Sequence, residues 1–401
     1  MLTNRKNVSL ETGMSDRLYA TLWTIAIVAV PVLMDFIFYD SKFARYSRVS
    51  IFLLVGFSLL SNHKRFFSSK IRGVEFTFLT FLLYLVGTFS SINNGGVATP
   101  NVALLLLIMF IVNTNNSMYT HIFKMIIFSV NVLIFISVFA ILFRINPSGI
   151  YVSSEGYPVL FENIGIPGRN VGLFSHPNVL GQTAAISFLA LIQKKRTMIF
   201  SLFPLFCMFK SGSRTAIIGV LAGLIILGGA LIFKRLRNSR RKLIEFPAVI
   251  EGLTVLILAS LFLFFFNYID FLDPDRLTGR ASIWQVSKEI YQNSALFGLG
   301  WGWQSRAIES QLLSVFSVSA HNAVLEIVFS AGLVGLIIFF LILARGIVNF
   351  GNLTLTERVL LTCILISGVS EAYINLQYPT IQTYLFFITL LSAGWERNET
   401  N

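Results

Sequence analysis

Three side chains in this sequence are of the types that handle a charged leaving group and a proton: Arg214, Arg280 and His321. Arg214 ends the run KSGSR (Lys210 to Arg214), so two cations share a very short turn between two apolar stretches. If those stretches lie in lipid, such charge needs a partner, because placing it at membrane depth costs about 2.5–3.5 kcal/mol even on insertion scales. An anionic ligand would serve; so would snorkelling to lipid phosphates. Arg280 follows Thr278 and Gly279 and opens a segment in which Ile283, Val286, Ile290 and Tyr291 recur at helical spacing. A guanidinium and the open N–H groups of a first turn would converge there, which suits an anion. The alternative is an arginine that holds a loop carboxylate such as Asp273 or Asp275. His321 begins the apolar run AHNAVLEIVFSAGLVG. An imidazole can act as a general base near neutral pH with little tuning; the bland alternative is an interfacial histidine making one structural hydrogen bond.

Other polar residues have readings of both kinds. His176, in FSHPNVLGQ, is placed to cap a helix with Pro177 in its first turn. Glu326 and Glu371 fall inside apolar runs, where a carboxylate calls for a partner. Arg214 or Arg280 could be that partner; structural pairing and a proton relay are the two roles open to them. Trp284 and Tyr291 suit anchoring at lipid headgroup level. GLGWGW (Gly298 to Trp303) lacks the strand and helix of a nucleotide-binding fingerprint and reads as a tight aromatic turn, either a sugar or lipid contact or a purely structural element. Two histidines without HExxH or Cys/His spacing make no metal site, and Cys207 and Cys363 sit in apolar runs as small hydrophobes.

The elements that must position these residues are membrane spans. Hydrophobic residues are 55% of 401 and charged residues 12%, about half the usual share for a soluble domain. The net charge of +12 comes in short clusters between apolar runs, which argues for cytoplasmic loops and against nucleic acid. Twelve spans are predicted, over 19–37, 48–61, 74–92, 97–112, 121–143, 177–193, 197–210, 215–233, 247–267, 321–343, 357–375 and 380–394. The expectation is an all-α polytopic bundle, residues 1–401 forming one integral membrane domain. Of 31 Lys and Arg, 19 fall in one alternate set of loops and 11 in the other, with Lys124 inside a span. The richer set, with its clusters at 194–196 and 234–242, is expected to be cytoplasmic together with both termini. Arg214, Arg280 and His321 then share the outer face, and the loops 144–176 and 268–320 both open there. The second of these, between spans nine and ten, carries the helical stretch after Arg280.

Four segments in order resemble the O-antigen ligase and polymerase family. The most telling is His321-Asn322, nine residues, Gly332, two residues, Gly335, which opens a span after the largest outward loop. The others are SGSRTAIIGVLAG (Ser211 to Gly223), GRASIWQVSKEIYQNSALFGLG (Gly279 to Gly300) and GLFSHPNVLGQTAAIS (Gly172 to Ser187). The resemblance covers roughly residues 160–345. It implies a GT-C-like, metal-independent, inverting membrane glycosyltransferase of the bacterial cytoplasmic (inner) membrane, with a glycan on undecaprenyl diphosphate as donor and no cofactor. It assigns the diphosphate to Arg214 and Arg280 and the activation of the acceptor hydroxyl to His321. Arg169, His176, Lys210 and Asn322 are further candidate substrate contacts. Membrane lipids and a chain-length regulator are the implied partners. Repeat-unit polymerisation of O-antigen, capsule or exopolysaccharide is the reading preferred; ligation of glycan to lipid A-core is the alternative within the family. A flippase for lipid-linked oligosaccharide is the alternative outside it, disfavoured because the singled-out cations crowd one face.

Overall fold

The computed structural model describes residues 74–94, 108, 116–143, 145, 169–174, 176–237, 284, 288, 292, 294–303, 320–369, 371, 374 and 380–393, with single helical positions between 17 and 33. Among the described residues every regular element is helical: α1 (Val74–Asn93), α2 (Asn116–Leu142), α3 (Pro177–Ile192), α4 (Leu202–Ser211), α5 (Arg214–Arg237), α6 (Ala323–Val348), α7 (Leu355–Gly368) and α8 (Ile381–Ala393). A 3₁₀ turn, Met198–Ser201, leads into α4. Among the described residues, four helices are long and apolar enough to cross a membrane, within α1, α2, α5 and α6. The eight helices coincide with eight of the predicted spans, and helical positions between 17 and 33 fall within or beside a ninth; the predicted spans 48–61, 97–112 and 247–267 lie almost wholly outside the described residues.

The surface left by this packing is one that water would not tolerate. Phe78, Phe81, Leu85, Phe89 and Ile92 are exposed along one face of α1, and Phe128, Phe135, Phe139 and Leu142 along α2. Stripes of this length on several helices are lipid-facing rather than solvent-facing. Between helices the contact is made by small residues. A Cβ at Gly219 of α5 would lie 2.3 Å from the Ser367 hydroxyl and 3.0 Å from the Cys363 sulfur on α7, and one at Gly223 2.7 Å from Leu189 on α3. Where lipid removes the hydrophobic drive between helices, this close approach of backbones is what holds them.

Opposite ends of the bundle carry different residues. At one end the start of α7 meets the end of α3 through Thr356 to Gln193 (2.7 Å), and Tyr119 of α2 donates to Glu357 of α7 (2.6 Å). There Arg345 of α6 pairs with Glu75 of α1 (3.0 Å), and the same end holds Lys194, Lys195, Arg196 and Arg358. At the other end lie the start of α3, the α4–α5 turn, the start of α6 and the end of α7, which between them bear Arg169, His176, Lys210, Arg214, His321 and Glu371.

Helix α6 is interrupted. Gly332 has φ 66° and ψ −163°, outside any helical region. The turn 294–301 fills the break. Leu299 and Gly300 N–H donate to the carbonyls of Phe329 and Ser330 (2.7 and 2.9 Å), while Leu333 and Val334 N–H donate to Ala295 and Leu296 (3.0 and 3.1 Å). Broken helices at membrane depth survive only when protein satisfies the freed backbone groups, and here four bonds do so. The other side of the turn is sewn to α1: Ser90 Oγ donates to Gly298 O (2.5 Å), and Trp301 N–H to Ser91 Oγ (2.6 Å). The alternating glycines 298, 300 and 302 have φ of 75°, 83° and 74°, so the turn needs their freedom. With Trp301 and Trp303 buried, the structural reading of GLGWGW is the one realised.

Candidate active site at the mouth of helix α6

His321 stands just ahead of α6, in a left-handed backbone conformation (φ 49°) that is costly for a residue with a side chain. The surrounding contacts over-determine it. Asn322 caps the helix, its Oδ1 accepting from Val324 and Leu325 N–H (both 2.9 Å) while its Nδ2 donates to the Val369 carbonyl at the end of α7 (2.7 Å). Glu326, in the first turn, accepts from the Ala320 N–H (3.0 Å). Trp284 Nε1 donates to the Ala320 carbonyl (2.5 Å). Trp284 is 2% exposed, so its role is to fix the histidine turn, not to anchor at the headgroups as its residue type suggested.

The imidazole meets a buried carboxylate. His321 Nδ1 lies 3.0 Å from Glu371 Oε2, with side-chain exposures of 26% and 5%. A proton on Nδ1 directed at the carboxylate leaves the lone pair of the neutral ring on Nε2, the arrangement a general base requires. The other oxygen, Glu371 Oε1, accepts from Asn178 Nδ2 (2.5 Å) at the start of α3. Asn178 Oδ1 in turn accepts from an Nη of Arg169, and Arg169 Nε donates to the Ser211 carbonyl (2.9 Å). The sequence offered Arg214 or Arg280 as a partner for Glu326 and Glu371. Among the described residues Glu326 accepts from the Ala320 backbone, and Glu371 meets His321 and Asn178, with Arg169 one amide further on.

Of the remaining candidates, His176 bonds directly to this line, and Lys210 and Arg214 flank the adjoining α4–α5 turn. His176 caps α3, its Nδ1 accepting from Asn178 N–H (3.1 Å), as its position before Pro177 suggested. Lys210, in the last turn of α4, has Nζ 6.0 Å from the centre of the Phe206 ring. Arg214 is exposed at the first position of α5, directly after Ser213, whose Oγ accepts from Ala216 N–H (3.3 Å). Its turn reaches His321 through Ser211, Arg169, Asn178 and Glu371. Arg280 lies outside the described residues, four positions before Trp284 in the sequence. Beside the turn that fills α6, a cleft of about 300 Å³ is lined by Ser90, Asn93, Asn94, Ser294 and residues 295–298.

A histidine followed by an asparagine that caps a helix broken at Gly332 gives structural sense to the sequence spacing His321-Asn322…Gly332. Residues 199–340 match the O-antigen ligase family. The match takes in Arg214, Arg280, His321 and Gly332 and supports the O-antigen ligase and polymerase family for a multi-pass membrane enzyme acting on lipid-linked glycan. No curated protein matches the chain. Asn178 and Glu371 lie beyond the O-antigen ligase segment. Asn178 was not singled out from sequence; the available sign was a polar residue followed by Gln182 at helical spacing in the first half of an apolar run.

Proposed function

We propose that this protein transfers a glycan from an undecaprenyl-diphosphate carrier to an acceptor hydroxyl at the outer face of the bacterial cytoplasmic membrane, joining repeat units of a surface polysaccharide. The observation that carries the reading is the His321–Glu371 pair at the mouth of α6, with His321 inside the O-antigen ligase segment. His321 Nε2 takes the proton of the acceptor hydroxyl as that oxygen attacks the anomeric carbon. The bond from that carbon to the diphosphate oxygen breaks, and the lipid diphosphate leaves with both electrons. Attack opposite the leaving group inverts the anomeric centre, in a GT-C-like active site without a metal. Arg214 and Arg280 neutralise the charge that grows on the diphosphate, work that a guanidinium fork does well.

Ligation to lipid A-core is the second reading, favoured by the ligase description of the matched family. Deletion separates the two. Loss of the polymerase leaves single repeats at the surface, and loss of the ligase removes surface glycan while lipid-linked polymer accumulates.

The test is turnover of purified protein in nanodiscs with a polyprenyl-diphosphate glycan, followed as release of polyprenyl diphosphate. His321→Ala should lower kcat by roughly 10²–10⁴-fold, the usual range for a general base. Full turnover in that variant would remove the assignment of His321.

A further inference from the structure

Arg169 was a candidate contact for phosphate or glycan, yet two of its donors point into the protein. Nε and an Nη grip two acceptors from different elements, the Ser211 carbonyl at the end of α4 and Asn178 Oδ1 at the start of α3. A planar fork bonded at both prongs fixes the relative position of the two acceptors in a way a lysine cannot. Asn178 is buried, and its amide orientation is dictated from both sides, since only its oxygen can face a guanidinium and only its nitrogen a carboxylate. That nitrogen holds Glu371, and Glu371 holds the Nδ1 side of His321. A buried carboxylate calls for a compensating cation, and Arg169 is one amide away.

The turn that bears Arg214 is seated against the same helix. A Cβ at Gly181, one turn beyond Asn178, would lie 2.5 Å from both Ser211 Oγ and Ser213 Cβ. Asn170 N–H donates to the Lys210 carbonyl (2.9 Å), so the strand of chain around Arg169 is fastened to the turn by backbone as well.

From this we infer that Arg169 is a positioning residue: it clamps the Arg214 turn to the Asn178–Glu371–His321 line, so that the orientation of the imidazole depends on where the turn sits. The assignment rests on the proposed function only in naming His321 as the base and Arg214 as a diphosphate ligand. It makes the two halves of the site, leaving-group side and base side, one connected unit.

The chain has four histidines, few enough for ¹⁵N-histidine NMR of the whole protein in nanodiscs, with His321 assigned by loss of its signal in His321→Gln. Arg169→Lys and Asn178→Ala should each displace the His321 Nδ1 resonance while His121, which bonds at the opposite end of the bundle, stays in place. Thermal unfolding verifies that each variant is folded, and Arg169→Gln replaces any that is not. An unmoved His321 resonance in the folded variants overturns the inference. With the polyprenyl-diphosphate glycan, Arg169→Lys should lower kcat by about tenfold or more and leave the donor KM within about twofold, the split left by a group that orients rather than binds. A raised KM with kcat preserved would make Arg169 a substrate contact and also overturn it. The resonance needs no substrate, so it stands or falls independently of whether His321→Ala retains turnover.

Discussion

Replacing Gly332 by alanine introduces a methyl group where α6 opens to admit the 294–301 turn. The added Cβ would lie 2.4 Å from the Leu296 carbonyl oxygen and 2.5 Å from Gly298 N, and both obstacles are backbone. The conformation itself, φ 66° and ψ −163°, belongs to a region that is essentially glycine-only and costs other residues about 1–3 kcal/mol. Relief requires the turn to retreat, which endangers the four backbone bonds across the break. At about 0.5–1.5 kcal/mol each, losing two of them adds about 1–3 kcal/mol, and more if the freed groups find no water. A destabilisation of roughly 2–6 kcal/mol follows. Trp301 and Trp303 report it directly, since both are buried in the turn's path and would meet a wetter environment as it withdraws. The measurement is thermal unfolding in detergent with tryptophan emission recorded alongside. Gly332→Ala should melt many degrees lower with red-shifted emission. Gly228→Ala is the control: nothing lies within 4 Å of its added methyl, and alanine in mid-helix should hold or raise the melting temperature. A Gly332→Ala protein that melts and emits like the parent would refute the account of the helix break.

His321 offers a second test that separates backbone from chemistry. Alanine and glycine both remove the imidazole, but at φ 49° alanine carries a left-handed cost of about 1–2 kcal/mol, offset by glycine's extra freedom of about 0.5–1 kcal/mol in the unfolded chain. His321→Gly should therefore be more stable than His321→Ala by roughly 0.5–1 kcal/mol in denaturant or thermal unfolding, and equally inactive; the reverse order would show that the turn relaxes. Glu371→Gln loses the charge, and its single oxygen can accept from His321 Nδ1 or from Asn178 Nδ2 but not both, so the melting temperature should fall modestly while kcat falls by about tenfold or more; unchanged turnover would show that the carboxylate's charge takes no part.

The sequence revealed the helices well and the contacts between them poorly. Continuous apolar runs predicted α1 to α6 and α8 to within a few residues at most ends, because span length is set by bilayer thickness and needs no tertiary knowledge. The run 357–375 overshot, since α7 stops at Gly368 and the carbonyl of its capping residue, Val369, accepts from Asn322. The pattern His321-Asn322…Gly332 was legible as a spacing, yet nothing local reveals that Gly332 opens the helix for a turn some 30 residues earlier. Asn178 and Glu371 meet across 193 positions; Glu371 was legible as a carboxylate in need of a partner, whereas Asn178 alone reads as an ordinary polar residue in an apolar run. Trp284 misled for the same reason: its type fits a headgroup anchor, and only the fold brings Ala320 to its indole.

The stitching of residues 298–301 to α1 bears on how the protein is made. Ser90 and Ser91 wait for partners that lie 208 and 210 positions further along the chain. A slot at Gly87, where even a methyl would stand 2.3 Å from the Trp301 ring, is shaped for a side chain synthesised long afterwards. During synthesis α1 therefore enters the bilayer with that flank unfilled, and neither it nor α6 reaches its final packing until the ribosome has passed residue 334. Chains cut short before that point should be substrates for membrane quality control rather than partly working enzymes.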